Sequence, residues 1–252
     1  MGRTNVLSIS NPSIVLVHGA LTDASVWNDV ALRLLSDGYE VHAPALPMRR
    51  LADDARYLAG VIERVEGPVV LVGHSYAGAV ISHPAISAVG NVVALVYVAA
   101  FQPDAGETAG GLNEKFPGSL LTPDNLLVTP NPLGGDDLAL RPDRFAQVYA
   151  ADVDPARAAV MAAGQRPVEP AVLGEQLPGR PAWRTIPSWA LVSTRDRSLP
   201  PEILRYMAER ARSMTVEVES SHAAPVARPD AVTDLIRTAA RAVSSSADTI
   251  ST

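Results

Sequence analysis

Three residue types that together carry out nucleophilic acyl transfer stand along this chain in settings that suit them. Ser75 lies in Gly73-His74-Ser75-Tyr76-Ala77-Gly78, after an apolar run and before a helical stretch. A sharp strand-to-helix turn at this point would push its apex side chain out of a sheet and require small neighbours two positions to either side. Gly73 meets that requirement. Ala77 departs from the G-x-S-x-G pattern, and the next glycine is Gly78. The bland role for such a serine is a helix N-cap. Serine is a poor nucleophile at neutral pH and needs a base that titrates near the working pH. Of the five histidines, His222 is best placed, in Glu219-Ser220-Ser221-His222-Ala223-Ala224-Pro225, between the expected strand 214–218 and the final helix. A carboxylate must hold the imidazole in one tautomer and stabilise its cation. Asp196, in Ser193-Thr194-Arg195-Asp196, is the candidate. Asp104 competes from Phe101-Gln102-Pro103-Asp104, although Pro103-Asp104-Ala105-Gly106 also reads as a turn. His74 is expected to point away from the serine hydroxyl and to pack or hydrogen-bond beneath the turn. His42 and His83 are expected to be structural.

Acyl transfer also needs two pre-aimed N–H groups for the developing oxyanion. The residue after the nucleophile, Tyr76, supplies one candidate. The other comes from His18-Gly19-Ala20-Leu21, where Gly19 permits close backbone approach; Ala20 is the first choice for that N–H and Leu21 the next.

The elements that must position these groups alternate along the chain. Apolar runs at 14–17, 39–43, 69–72 and 92–99 read as strands. Between them, Val26-Trp27-Val30-Leu34 (closed by Gly38) and Leu51, Ala55, Leu58, Val61, Ile62 and Val65 are spaced for single helix faces. Ala79 to Ala88 reads as one further helical stretch. Strands that are apolar throughout suit a sheet buried on both faces, and alternation with helices makes it parallel. The rhythm lapses over residues 102–182, rich in Pro, Gly and Asp, with patchy helical signals at 144–149 and 155–163. It resumes with strands at 188–193 and 214–218 and a helix at 231–243. The reading is therefore a core of residues 1–101 and 183–252, interrupted by a helical lid over 102–182, with 244–252 a frayed tail. A lid at that place would cover the carboxyl ends of the strands, where ligands bind in open α/β sheets.

Composition narrows the classes. Hydrophobic residues make up 47% and charged residues 19% of the 252, as in ordinary globular proteins, and a net charge of −6 argues against nucleic acid or an anionic membrane surface as partner. With no cysteine, disulfides, thiolate metal sites and cysteine nucleophiles are excluded. No metal constellation or phosphate loop suggests a cofactor. Residues 1–12 hold one arginine and no apolar stretch of signal-peptide length, so a cytoplasmic location is the expectation.

Val15-Leu16-Val17-His18-Gly19-Ala20, the Gly73–Gly78 turn, Asp196-Arg197 and Ser221-His222 together resemble the α/β-hydrolase superfamily. Phe101-Gln102-Pro103-Asp104-Ala105-Gly106-Glu107 and Ile186-Pro187-Ser188-Trp189 look most like its small methylesterase and hydroxynitrile lyase branch and the bacterial esterase relatives. The resemblance implies a triad in the order Ser75, Asp196, His222, although an acid at the position of Asp104 serves in some relatives. Cyanohydrin lyases of the branch carry threonine where Gly19 stands and lysine where Ala223 stands, which leaves ester hydrolysis as the expected chemistry. Lactone opening, perhydrolysis, a lyase step or a non-catalytic receptor role are the alternatives. Of the apolar residues in 102–182, Phe116, Leu120, Phe145 and Tyr149 are expected to contact a small or medium apolar substrate together with Gly19 and Leu21.

Overall fold

Four runs, SIVLV, VVLVGH, VVALVYV and SWALVS, are apolar almost end to end, and such runs are stable only where both faces of a sheet are covered. The computed structural model, which describes residues 11–250 with side chains to residue 245, places them at the centre of one sheet. In chain order the strands are β1 (Ser13–Val17), β2 (Val41–His42), β3 (Val69–His74), β4 (Val92–Val98), β5 (Leu126–Pro130), β6 (Asp136–Leu140), β7 (Ser188–Ser193) and β8 (Met214–Val218). Six of them form a sheet ordered β2-β1-β3-β4-β7-β8, with every pairing parallel. The chain leaves β1 for β2 on one side and returns to β3 on the other. The carboxyl ends of β1 and β3 therefore flank a topological switch point, where a crevice opens.

Helices cover both faces. In Leu51–Ile62 the buried residues Leu51, Ala55, Leu58 and Ile62 recur at helical spacing. Asp54 is buried among them, which the pattern alone does not suggest. The expected helix beginning at Val26 is a 3₁₀ turn, Ala24–Trp27, capped by the Asp23 carboxylate on the Ser25 N–H, followed by the helix Asn28–Ser36. The stretch after Ser75 is likewise two helices, Ala77–Ser82 and Pro84–Val89. Pro84 cannot donate the hydrogen bond that would continue the first and forces His83 into extended backbone. The strand expected over 39–43 pairs only at Val41–His42.

The segment between β4 and β7 is not purely helical. It holds the short helix Ala109–Asn113 and the helices Pro142–Tyr149 and Pro155–Ala163, and also an antiparallel hairpin, β5–β6. Gly134 and Gly135 close that hairpin at positive φ, 102° and 74°. The last helix runs Pro229–Ile250, so residues 244–250, expected to fray, are helical; Ser244 donates its hydroxyl proton to the Ala240 carbonyl one turn back. Residues 251–252 and the N-terminal stretch 1–10 lie outside the described residues. No helix among the described residues is long and apolar enough to cross a membrane.

Candidate active site

β3 ends in a turn whose apex, Ser75, has φ 55°, a left-handed conformation that L-residues adopt only under constraint. Small neighbours make that turn possible. A Cβ on Gly73 would lie 3.0 Å from both the Ala77 carbonyl oxygen and Ile81 Cδ1, and one on Gly78 would lie 2.0 Å from the Phe101 carbonyl oxygen. Ala77 is accommodated because the tightest approach falls one residue later, at Gly78. The Ser75 carbonyl accepts from the N–H groups of Gly78 (3.0 Å) and Phe101 (3.1 Å) and so ties the turn to the end of β4.

The loops after β7 and β8 bring the acid and base to the same point. His222 Nε2 lies 2.8 Å from Ser75 Oγ, and its Nδ1 lies 2.6 Å from Asp196 Oδ2. With Nδ1–H donating to the carboxylate, Nε2 is left as the acceptor for the serine hydroxyl. The other Asp196 oxygen accepts from the N–H groups of Ser198 and Leu199, at 2.8 and 2.9 Å, which hold the carboxylate in place. All three side chains are buried. Asp104 is elsewhere: its carboxylate pairs with Arg184 and accepts from the Ala105 N–H, so it serves the turn and not the histidine.

His74 lies beneath this arrangement. Its Nε2–H donates to the carbonyl of His222 (2.9 Å), and Tyr149 OH lies 3.5 Å from its Nδ1. Burial first, and the neighbouring His222 second, hold its pKa well below the usual histidine value. A neutral His74 adds no second positive charge beside an imidazolium at His222. Tyr149 packs its ring edge-on against His222, 4.7 Å between centroids, and its carbonyl accepts from the Ala223 N–H.

The two candidate oxyanion donors belong to peptides whose carbonyls are fixed. His18 Nε2 accepts from the Leu46 N–H (3.1 Å), so its proton sits on Nδ1 and is donated to the Gly19 carbonyl (2.9 Å). In a trans peptide the C=O and N–H point in opposite directions, so this bond aims the Ala20 N–H. Burial lowers the His18 pKa and keeps this neutral tautomer. The doubly bonded Ser75 carbonyl sets the direction of the Tyr76 N–H in the same way. Gly19 itself is a close-packing position, since a Cβ there would stand 2.6 Å from Ser75 Cβ.

A cavity of about 410 Å³ opens over Ser75 and His222. Of the residues expected at the substrate, Leu21 and Tyr149 line it and Gly19, Phe116, Leu120 and Phe145 do not; the two candidate oxyanion donors, Ala20 and Tyr76, line it as well. Phe145 is fully buried and stacks on the back of Tyr149 at 5.1 Å, while Phe116 packs against Tyr206 at 5.9 Å. Leu120 ties the segment to the core through its N–H on the Arg197 carbonyl. The apolar wall comes instead from Phe101, Leu121, Leu126, Leu138, Val168 and Leu173. His18 and Asp54 were not singled out for roles in the site; His18 adjoins Gly19 in the sequence, whereas Asp54 looks like any acid in a helix's first turn. No group of three or more acidic or histidine side chains able to hold a metal occurs among the described residues.

The parallel sheet, the strained serine turn and the loops after β7 and β8 together define an α/β-hydrolase fold. The sequence profile of the alpha/beta hydrolase family matches residues 14–235, and the chain belongs to that family. It is 34% identical over 106 residues to the pyrethroid hydrolase of Sphingobium wenxiniae, a match that spans 38% of each chain. Across more of its length it is 26% identical to the esterase PIR7B of Oryza sativa subsp. japonica, over 92% of this chain and 96% of the relative. The crystal structure of a pyrethroid hydrolase from Sphingobium faniae superposes with a TM-score of 0.74 at 26% identity, covering 92% of this chain and 98% of that one.

Proposed function

We propose that the protein is a serine hydrolase that cleaves a carboxylic ester of a small to medium apolar molecule through an acyl-enzyme intermediate. The observation that carries this reading is the unbroken run Ser75 Oγ–His222 Nε2 and His222 Nδ1–Asp196 Oδ2, at 2.8 and 2.6 Å, on the floor of a cavity walled mainly by apolar side chains. Ser75 Oγ attacks the ester carbonyl while His222 Nε2 takes its proton. The Ala20 and Tyr76 N–H groups receive the oxyanion, and Asp196 stabilises the imidazolium. The proton passes from Nε2 to the leaving alcohol. Water, deprotonated by the same nitrogen, then attacks the acyl-enzyme and releases the acid.

Gly19 supports ester cleavage over cyanohydrin cleavage, since a threonine there would place a side chain against Ser75 Cβ. The names of the Sphingobium and rice relatives support ester cleavage as well. Residues 102–182 act in this reading as a cover that selects the substrate: Leu121, Leu126, Leu138, Val168 and Leu173 present apolar surface to its acyl or alcohol part. The test is a screen of p-nitrophenyl esters from acetate to octanoate. Turnover is expected to fall by on the order of 10⁶ in Ser75→Ala. Folded wild-type protein without activity on any ester, lactone or aryl acetate would remove the proposal.

A further inference from the structure

Two carboxylates are buried among the described residues, Asp196 and Asp54. The first belongs to the run at His222. The second lies on the inner face of the helix Leu51–Ile62, where an apolar residue would meet the helix pattern without the cost of burying a charge. Asp54 Oδ2 accepts from the Tyr76 hydroxyl at 2.9 Å, and Oδ1 accepts from the Met48 N–H at 2.8 Å. Its carboxyl is pushed up to about 6, by burial first; the bonds from Tyr76 and Met48 pull the other way. A group held at such cost and tied to the residue after the nucleophile has a geometric task.

Tyr76 is buried, and its N–H is one of the two proposed oxyanion donors. It follows a residue at positive φ, so the turn is strained and the peptide needs anchoring on both sides. The Ser75 carbonyl supplies one anchor; the phenol on Asp54 supplies the other. The second oxygen of Asp54 holds Met48, itself at φ 61°, whose carbonyl accepts from the Glu169 N–H, next to Val168 in the cavity wall. We propose that Asp54 is a positioning residue for the reaction: through the Tyr76 phenol it holds the Tyr76 N–H on the developing oxyanion. It touches neither substrate nor reacting atoms.

This inference rests on the ester-hydrolase reading, and its test separates the two. Asp54→Asn, Tyr76→Phe and the double variant are compared with wild type in kcat, KM and affinity for a trifluoromethyl ketone. Addition of Ser75 Oγ to that ketone forms a C–O bond, sends the proton to His222 and leaves the carbonyl electron pair as an oxyanion. Tyr76→Phe keeps the N–H and loses only the phenol. Each single variant is expected to lose about tenfold in kcat and in ketone affinity, a fraction of the 10²–10³ that loss of a whole donor costs, with KM within about twofold. The double variant is expected to lose no more than the worse single one, because both changes remove one link. A folded Tyr76→Phe with wild-type kcat and ketone affinity overturns the inference, as does a double variant whose loss is the product of the two. If Asp54→Asn does not fold, Tyr76→Phe alone decides. Wild type inert toward esters and ketone ends both readings, whereas active wild type with unaffected Tyr76→Phe ends this one only.

Discussion

The carboxyl ends of the strands and the segment above them are built differently. At the strand ends, Ser75, His222, Asp196, His18 and His74 are each buried and each held through hydrogen bonds. Residues 102–182 reach the same cavity with three short helices, a hairpin and long irregular runs, and much of the hairpin is exposed. Yet the segment is fastened at several points. Ser221 N–H donates to Asp152, Ala223 N–H to the Tyr149 carbonyl, Leu51 N–H to Glu175 and Glu169 N–H to the Met48 carbonyl. In the proposed reading, chemistry and selectivity fall to separate parts of the chain, joined by hydrogen bonds from backbone N–H groups. Substitutions at the strand ends should cost rate on every ester. Substitutions in the segment should change which ester is preferred.

After Ser75→Ala, Asp196→Asn should cost the most, about 10⁴ in kcat on long and short esters alike, because the amide favours the wrong tautomer of His222. A loss confined to one substrate would break the division. Gly19→Ala follows. Its Cβ would press on Ser75 Cβ and displace the Ala20 peptide, for a loss on the order of 10²–10³ in kcat, the worth of one oxyanion donor.

Asp54 gives a readout on stability. Its carboxyl is raised from 3.8 to about 6 in the folded protein, so its protonated form is the one folding favours. That contribution is complete below pH 4 and lost as pH rises to 6 and beyond. In Asp54→Asn, relative to wild type, unfolding free energy should therefore rise by about 2 kcal/mol between pH 4 and pH 7, measured by denaturant titration at both. A pH-independent difference would remove the buried carboxylate from the account.

In the segment, Leu121→Trp should lower the ratio of kcat/KM for octanoate over acetate by about tenfold with acetate little changed, the scale on which apolar pockets discriminate chain length. Arg157→Ala, which removes a half-exposed ion pair to Asp29 at 2.6 Å, should change stability by no more than about 1 kcal/mol and leave kcat alone. A large rate effect from Arg157 would mean that the segment governs the chemistry too.

The same contrast explains what was legible in the amino-acid sequence. Ser75 and Asp196 each follow an apolar run buried in the sheet, and His222 follows the exposed edge strand β8, so the order of the strands carries all three to the carboxyl end of the sheet. Ala20 and Tyr76 follow from their places beside those strands. Asp54 was hidden because Asp53 and Asp54 both read as solvated acids in a helix's first turn, and only the approach of Met48 and Tyr76 distinguishes them. Phe116, Leu120 and Phe145 lie outside the cavity lining, a placement the sequence hides because an aperiodic segment gives no frame for telling a cavity wall from the packing behind it. The hairpin was missed for a related reason: Pro130, Asp136 and Asp137 interrupt the alternation that would mark two strands.

The central claim is that Ser75 is the nucleophile, and covalent labelling tests it most directly. Folded protein treated with a fluorophosphonate and mapped by peptide mass should carry one phosphonyl group on Ser75, formed with loss of fluoride and absent from Ser75→Ala. Folded protein that takes up no label, or takes it elsewhere with Ser75 untouched, would contradict the account.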